Sequence, residues 1–380
     1  MLIFFISVAF LTFIYLILCF IFLIYWRNQK EFNLDPSFVP TTKVSVIVPV
    51  RNEEDSLQRC TESILKQNYP THLFELIVVD DQSDDNTPQI LENIKDQRLR
   101  VMRLGVYKRT TITGSKKKAI AYGISHASGD LMITTDADCI HGENWIQTIV
   151  ACYQKFKPKL IVAPVLIQKE KTLLNLFQDA DFINSFMVHL AGIRSGLFYL
   201  GSGANLAYEK SVFLETDPYD NNQHIASGDD LFLIQKVKEK YSGKIYPLKA
   251  IEATVQTIGA TSVKSFFSQR LRWAGKLKNS SSFNMLLVSS FIWLFRIGLL
   301  TFTLITLVLE EYIYFYSGLG LLFIHFLLDL ILIHQSSSFF KRGYILKWIL
   351  PFEVMYTMYF FVLGLLSWLP IKLEWKDRKI

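Results

Sequence analysis

The chain has 380 residues, 51% of them hydrophobic and 19% charged, and the apolar excess gathers at the two ends while residues 31–283 have the mixture of an ordinary soluble protein. Forty basic residues against 34 acidic ones leave a net charge of +6, with no Arg/Lys-dense stripe through the soluble part. These figures exclude a disordered chain, a coiled coil, a plain cytosolic enzyme and a nucleic-acid partner. Four scattered cysteines, Cys19, Cys60, Cys139 and Cys152, form no CxxC and exclude a disulfide framework and a zinc site.

Met1 to Trp26 contains no charged residue, a run longer than the ~20 residues that span a bilayer. It lacks the basic start and small-residue cut of a cleaved signal, so residues 1–26 read as an uncleaved anchor. Arg27 and Lys30 follow at once, and the positive-inside rule places what comes next in the cytoplasm.

From Lys43 the pattern alternates strand and helix. Residues 44–50 are a β-branched run that reads as a buried strand, 55–67 have helical spacing, and 74–79 are a second strand ending at Asp80-Asp81. Thr87 is the expected N-cap of a helix with Pro88 in its first turn. A short strand over 100–104, a helix over 116–126, a strand over 131–135 ending at Asp136-Ala-Asp138, and a helix over 143–156 complete the series. Such alternation predicts an α/β, Rossmann-like, mostly parallel sheet covered by helices, with ligands bound outside the carboxyl ends of the strands. Both acidic clusters fall at such ends.

Asp80, Asp81, Asp84 and Asp85 are too many for one helix cap and lack the Gly and Glu of an EF-hand loop. Asp136 and Asp138, one residue apart at a chain reversal, can turn toward one hard cation such as Mg²⁺ or Mn²⁺. Lys116 opens the Lys116-Lys117-Lys118 run, where a solvated charge run competes with a lysine that reaches phosphates. Gly228-Asp229-Asp230 starts a helix. Asp230 is either a first-turn acid, favourable at the positive helix end, or a general base.

Residues 262–278 are amphipathic. Val263, Phe266, Phe267, Ala274 and Leu277 form an apolar stripe, and Lys264, Arg270, Arg272, Lys276 and Lys278 crowd the rest. This suits a helix on an anionic membrane surface. Gln269, Arg272 and Trp273 share one face by their i, i+3, i+4 spacing. Three apolar stretches follow, near 284–309, 312–333 and 348–369, the first interrupted by Arg296 and the last by Pro351 and Glu353. Four spans are expected in all. The basic tail, with Lys372, Lys376, Arg378 and Lys379, conflicts with an even number of spans that starts outside.

Taken together, residues 43–278 resemble the membrane-bound family 2 glycosyltransferases of the GT-A type. Pro49, Asn52 and Glu53 resemble the family's opening, Asp80-Asp81 its first aspartate motif, and Asp136-Ala-Asp138 its D-x-D. Lys116 is similar to its phosphate-contacting lysine, Asp230 to its catalytic aspartate, and Gln269-Arg-Leu-Arg272-Trp273 to its Q-x-x-R-W. Asp229 stands where the family usually has Glu, and, about 100° from Asp230 on the same helix turn, it is expected to point elsewhere. Cellulose, hyaluronan and poly-N-acetylglucosamine synthases and ceramide glucosyltransferases share this pattern. The resemblance implies a GT-A domain over 43–260, an interface helix over 261–280 and a membrane region over 284–369. It implies an inverting hexosyltransferase that uses a nucleotide sugar, expected to be a UDP-sugar, with a divalent metal on Asp136 and Asp138. Glu53, Asp80, Asp81, Lys116, Asp136 and Arg272 would bind the donor, Asp230 would be the base, and Gln269 and Trp273 would meet the acceptor. That acceptor is a membrane lipid or a growing polysaccharide at the cytoplasmic face of the plasma membrane. The small number of spans favours a lipid, or a polymer synthase completed by a small accessory subunit. The rival reading is a catalytically inactive membrane scaffold with a degenerate transferase domain.

Overall fold

The computed structural model describes residues 1–105, 115–220, 222, 228–278, 283–368, 374–375 and 378–379. In chain order the elements are α1 (Leu2–Asn28), β1 (Val44–Val50), α2 (Leu57–Leu65), β2 (Phe74–Asp80), α3 (Thr87–Asn93), β3 (Leu99–Arg103), α4 (Ser115–His126), β4 (Leu131–Thr134), β5 (Ile140–His141), α5 (Trp145–Phe156), β6 (Leu160–Val162), β7 (Val165–Ile167) and α6 (Leu173–Ser195). They continue with β8 (Leu206–Glu209), α7 (Lys210–Thr216), α8 (Asp229–Lys240), β9 (Ile245–Pro247), β10 (Val255–Thr257), α9 (Val263–Lys278), α10 (Phe283–Val308), α11 (Tyr312–Phe339) and α12 (Ile349–Trp368). The chain divides into a sheet unit, residues 30–169, 199–259 and 372–380, and a helix unit, residues 1–29, 170–198 and 260–371. Residues 170–198 lie in the middle of the soluble-looking sequence, yet they pack among the long apolar helices.

The sheet unit is built on seven strands in the order β3-β2-β1-β4-β8-β6-β9. The β3-β2-β1-β4 run is parallel, as the alternation predicts, and β8 is antiparallel to both β4 and β6. The β-branched residues of β1 and β2 bury almost completely. Pro49 breaks no ladder bond there. The Val50 carbonyl faces β2, where it accepts from Asp81 N–H, and the Ile47 carbonyl faces the β4 side, where it accepts from Thr135 N–H. By alternation Pro49 also faces the β4 side, and β4 stops pairing at Thr134. Helix α4 crosses this sheet closely because Gly123 lacks a side chain: a Cβ there would lie 2.9 Å from Ile47 Cγ2 and 3.1 Å from Val79 Cγ2. That approach sets the height at which Lys116, the second residue of α4, meets the strand ends. The N-cap expected at Thr87 falls on Asn86, and Thr87 is the first helical residue. Asp85 supplies the side-chain cap, accepting from Thr87 N–H at 2.9 Å.

In the helix unit four segments are long and apolar enough to cross a membrane: Leu2–Asn28, Phe283–Val308, Tyr312–Phe339 and Gly343–Leu366. Helix α6 starts at Thr172, whose hydroxyl accepts from Asn175 N–H, and ends at Gly196 with φ +75°. Its Asp179 pairs with Arg342 and accepts from the Tyr344 hydroxyl at 2.6 Å. Its Asp181 pairs with Arg270 at 2.6 Å and accepts from the Tyr356 hydroxyl at 2.9 Å. The interface helix departs here from the stripe read in the sequence. Val263 is 61% exposed, while Arg270, counted with the solvated charges, is 4% exposed. Asp181 and the rings of Trp273, Phe266 and Phe182 around its guanidinium are the reason.

Candidate active site

Three loops leave the carboxyl ends of β1, β2 and β4, and hydrogen bonds lace the first two together. Arg51 donates to the Asp81 and Gln82 carbonyls at 2.7 and 3.0 Å. Asn52 N–H donates to the Ser83 hydroxyl, the Asn52 side-chain oxygen accepts from Asp84 N–H, and Glu53 N–H donates to the Thr87 hydroxyl at 2.8 Å. Asn52 and Gln82 hold left-handed φ values of +50° and +59° at the two strand ends, the local strain that clusters at functional sites. Asp80 and Asp81 are 2% and 3% exposed. Asp80 accepts from Ser83 N–H at 3.0 Å and lies 3.7 Å from Arg103 Nε, so this carboxylate shapes the turn.

Lys116 is the hub. Its Nζ lies 2.7 Å from Asp136 Oδ1 and 3.1 Å from Asp229 Oδ2. One amine therefore draws together the start of α4, the D-x-D loop and the start of α8. Burial opposes its charge, but Asp136 and Asp229 outweigh that and raise its pKa above the ordinary lysine value. Asp138 is pushed up to about 6, first by burial and then by the Asp136 and Glu53 carboxylates. Three hard-oxygen acids that repel one another are a donor set suited to a small divalent cation, which would relieve that repulsion. Their ligand atoms are not gathered within 4.8 Å of one another, as those of His325, Asp329 and Glu353 are, so Glu53, Asp136 and Asp138 match such an ion in ligand chemistry and not in a closed geometry.

Asp230 sits in the first turn of α8, which begins after Gly228 at φ +90°. Its Oδ1 accepts from Leu231 N–H at 2.8 Å and its Oδ2 from Gly203 N–H at 3.3 Å. Asp229, expected to point away from the site, instead faces Lys116. It occupies the family's Glu position, and both carboxylates of the pair turn toward one region.

Sequence reasoning passed over the turn that carries these contacts. Gly203 begins the 3-10 turn Gly203–Asn205, and a Cβ there would lie 2.7 Å from Asp229 Oδ2, so glycine leaves that carboxylate its place beside Lys116. Asn205 is fully buried. It donates to the Pro164 and Ala253 carbonyls and accepts from Trp145 Nε1. The signal was Gly201-Ser-Gly203 between two hydrophobic runs. Lys117 was also passed over. It is 2% exposed, donates to the Asn222 carbonyl at 2.9 Å and sits 4.3 Å over the Phe232 ring, so it braces α8. Gln269, Arg272 and Trp273 lie on α9 in the helix unit, where the Trp273 ring stacks on the Arg270 guanidinium at 4.3 Å.

Residues 45–213 match the family model for glycosyl transferase family 2. A Methanococcus voltae dolichyl N-acetyl-α-D-glucosaminyl phosphate 3-β-D-2,3-diacetamido-2,3-dideoxy-β-D-glucuronosyltransferase is 25% identical over 72% of this chain and 83% of its own length. An undecaprenyl-phosphate 4-deoxy-4-formamido-L-arabinose transferase of Proteus mirabilis is 37% identical over 30% of this chain and 35% of its own. Among solved structures, a mannosyltransferase from Pyrobaculum calidifontis in complex with GDP-Man and Mn²⁺ superposes with a TM-score of 0.53 at 16% identity, covering 96% of this chain and 98% of that one. The last likeness bears on the fold alone, which is of the GT-A type.

Proposed function

This chain is a glycosyltransferase with a family 2 domain, and from that premise we propose that it moves a sugar, with inversion, from a nucleoside diphosphate sugar to a lipid-linked acceptor at the cytoplasmic face of the plasma membrane. The observation that carries the reading is the convergence of Asp136, Lys116 and the Asp229-Asp230 pair in one domain of a chain with four membrane-length helices. Relatives named for dolichyl and undecaprenyl-phosphate substrates support the lipid acceptor over a polymer.

Lys116 exchanges its carboxylate partners for the donor diphosphate and places fixed positive charge where negative charge grows as the sugar bond breaks. A divalent ion on Asp136 and Asp138, with Glu53 close by, supplies further positive charge to the leaving group when bound. The laced Glu53 and Asp80-Asp81 loops hold base and ribose. Asp230, oriented by the Gly203 and Leu231 amides, accepts the acceptor hydroxyl's proton as that oxygen attacks the anomeric carbon. Gln269, Arg272 and Trp273 are the residues proposed for the acceptor side and the departing diphosphate.

The test is radiolabel from UDP- and GDP-sugars offered to the purified full-length chain with membrane lipid extract. Label in a small solvent-extractable product supports the reading. Long chains would assign a polymer synthase, and no divalent-dependent transfer or donor hydrolysis with any donor would leave the inactive scaffold.

A further inference from the structure

Arg296 and Glu353 interrupt apolar stretches, and nothing in sugar transfer uses them. In the structure they meet. Arg296 on α10 donates through Nη1 to Glu353 Oε1 on α12 at 2.8 Å, and through Nη2 to Asp329 Oδ2 on α11. The Tyr15 hydroxyl of α1 donates to the other Asp329 oxygen. His325, one turn before Asp329, places Nδ1 3.3 Å from Glu353 Oε1 and Nε2 3.7 Å from Asp329 Oδ2. It is 4% exposed, and its Nε2 makes no hydrogen bond among the described residues. Cys19, a turn along α1 from Tyr15, is buried, and the rings of Phe295 and Tyr15 pack on His325. All four membrane-length helices thus contribute to one polar cluster.

Its charge does not close. One guanidinium faces two carboxylates, which leaves −1 when His325, Tyr15 and Cys19 are neutral. Net charge inside a hydrocarbon-surrounded bundle is costly. The His325, Asp329 and Glu353 donor atoms all lie within 4.8 Å of one another, a geometry that could hold a cation. Arg296 already bonds one oxygen of each carboxylate, so a metal ion at the same place would face a guanidinium. A proton needs no such vacancy. Placed among His325, Asp329 and Glu353, it brings the total to zero and puts a donor where each ring nitrogen faces a carboxylate oxygen.

We propose that this cluster is a cation-binding site within the membrane bundle and that its occupant is one proton, shared among His325, Asp329 and Glu353, which ties α11 to α12. A bound proton that the unfolded chain would release makes stability present at low pH and lost as pH rises.

The test is the melting temperature of the detergent-purified full-length protein from about pH 5.5 to about pH 9, with Mn²⁺ or Zn²⁺ and with chelator. The wild-type value should fall across that range, and any effect of chelator should be the same in His325→Gln as in wild type, since an ion on Asp136 and Asp138 would act equally in both. Glu353→Gln balances the charge without a proton. It should flatten the slope and melt at least ~2 °C above wild type at the alkaline end. Asp329→Asn should flatten the slope in the same way, which covers a failure of the first variant to fold. Arg296→Gln should melt lower throughout, most of all at high pH. A wild-type slope that survives in both neutralised variants would overturn the proposal. So would a metal-dependent rise in melting temperature that chelator reverses and His325→Gln removes, since that would assign the site to a metal ion.

Discussion

Among the described residues, two largely buried cations each lie between two carboxylates, and they differ in what the cation is. In the sheet unit it is Lys116, between Asp136 and Asp229. In the helix unit it is Arg296, between Asp329 and Glu353. Lysine is a compact charge on a flexible stem, so it can leave one anion for another when a diphosphate arrives. Arginine binds in a planar fork that fixes two partners at once and keeps its charge in apolar surroundings. The same local arithmetic therefore gives an exchangeable contact in the sheet unit and a fixed tie in the helix unit.

The comparison breaks most sharply at the carboxylates around Lys116. Asp138→Ala should lower transfer on the order of 10³-fold by weakening charge stabilisation of the leaving group. Metal titration of activity would check it, and full activity in chelator would count against the metal role. Asp230→Asn should lower turnover by at least ~10²-fold with donor binding nearly unchanged, because Asn keeps the contacts to Gly203 and Leu231 but cannot take a proton. Equilibrium dialysis with donor beside single-turnover kinetics separates the two effects.

Exchanging the cations sharpens the contrast. Lys116→Met should reduce turnover ~10²-fold, as for loss of one fixed charge at a developing anion, with little change in melting. Arg296→Lys should do the reverse, lowering the melting temperature while turnover per folded molecule stays normal. Turnover lost in the second variant would tie the bundle to the chemistry. Asp229→Asn should be milder: donor KM falls by up to ~10-fold, the scale of one charged hydrogen bond, because Lys116 has one competing partner fewer to leave when the diphosphate binds, and steady-state kinetics checks it.

The smallest effect is at Glu75, where donors are mostly neutral. Burial opposes its ionised form, but the Ser128 hydroxyl and amide, the Ser45 hydroxyl and Arg100 outweigh it and hold the pKa at about 2. Its stabilisation is present above the free carboxyl value of 4.5 and fades as pH falls toward 2. Glu75→Gln should cost about 1–2 kcal/mol at neutral pH and shrink the acid-side loss. An unchanged acid limb in denaturant melts would reject this.

The strands were legible because β-branched runs ending in aspartates signal both a buried strand and the place where it stops. Asp136, Asp138, Lys116 and Asp230 were legible as a spaced set. What stayed hidden depended on contacts across the chain. Lys117 reads like its neighbours until Asn222 and Phe232 close over it. Arg270 reads as solvated until Asp181, 89 positions earlier in the sequence, comes to meet it. Asp229 looked averted because helix geometry gives the direction of a side chain and not the reach of a lysine toward it. The parallel pattern was right for β3, β2, β1 and β4, and β8 runs antiparallel to β4.

The detour through α6 bears on how the protein can be cut. The chain leaves the sheet after β7 and re-enters at β8, which lies between β4 and β6, so α6 cannot be trimmed off either end. A fragment of residues 31–260, freed of the apolar helices, would still carry Phe177, Ile183, Phe186, Met187 and Leu190, all buried in the whole chain. It would also carry Asp179 without Arg342 and Asp181 without Arg270. Such a patch invites association. A soluble catalytic fragment of this enzyme therefore requires resurfacing α6 as well as removing the membrane helices.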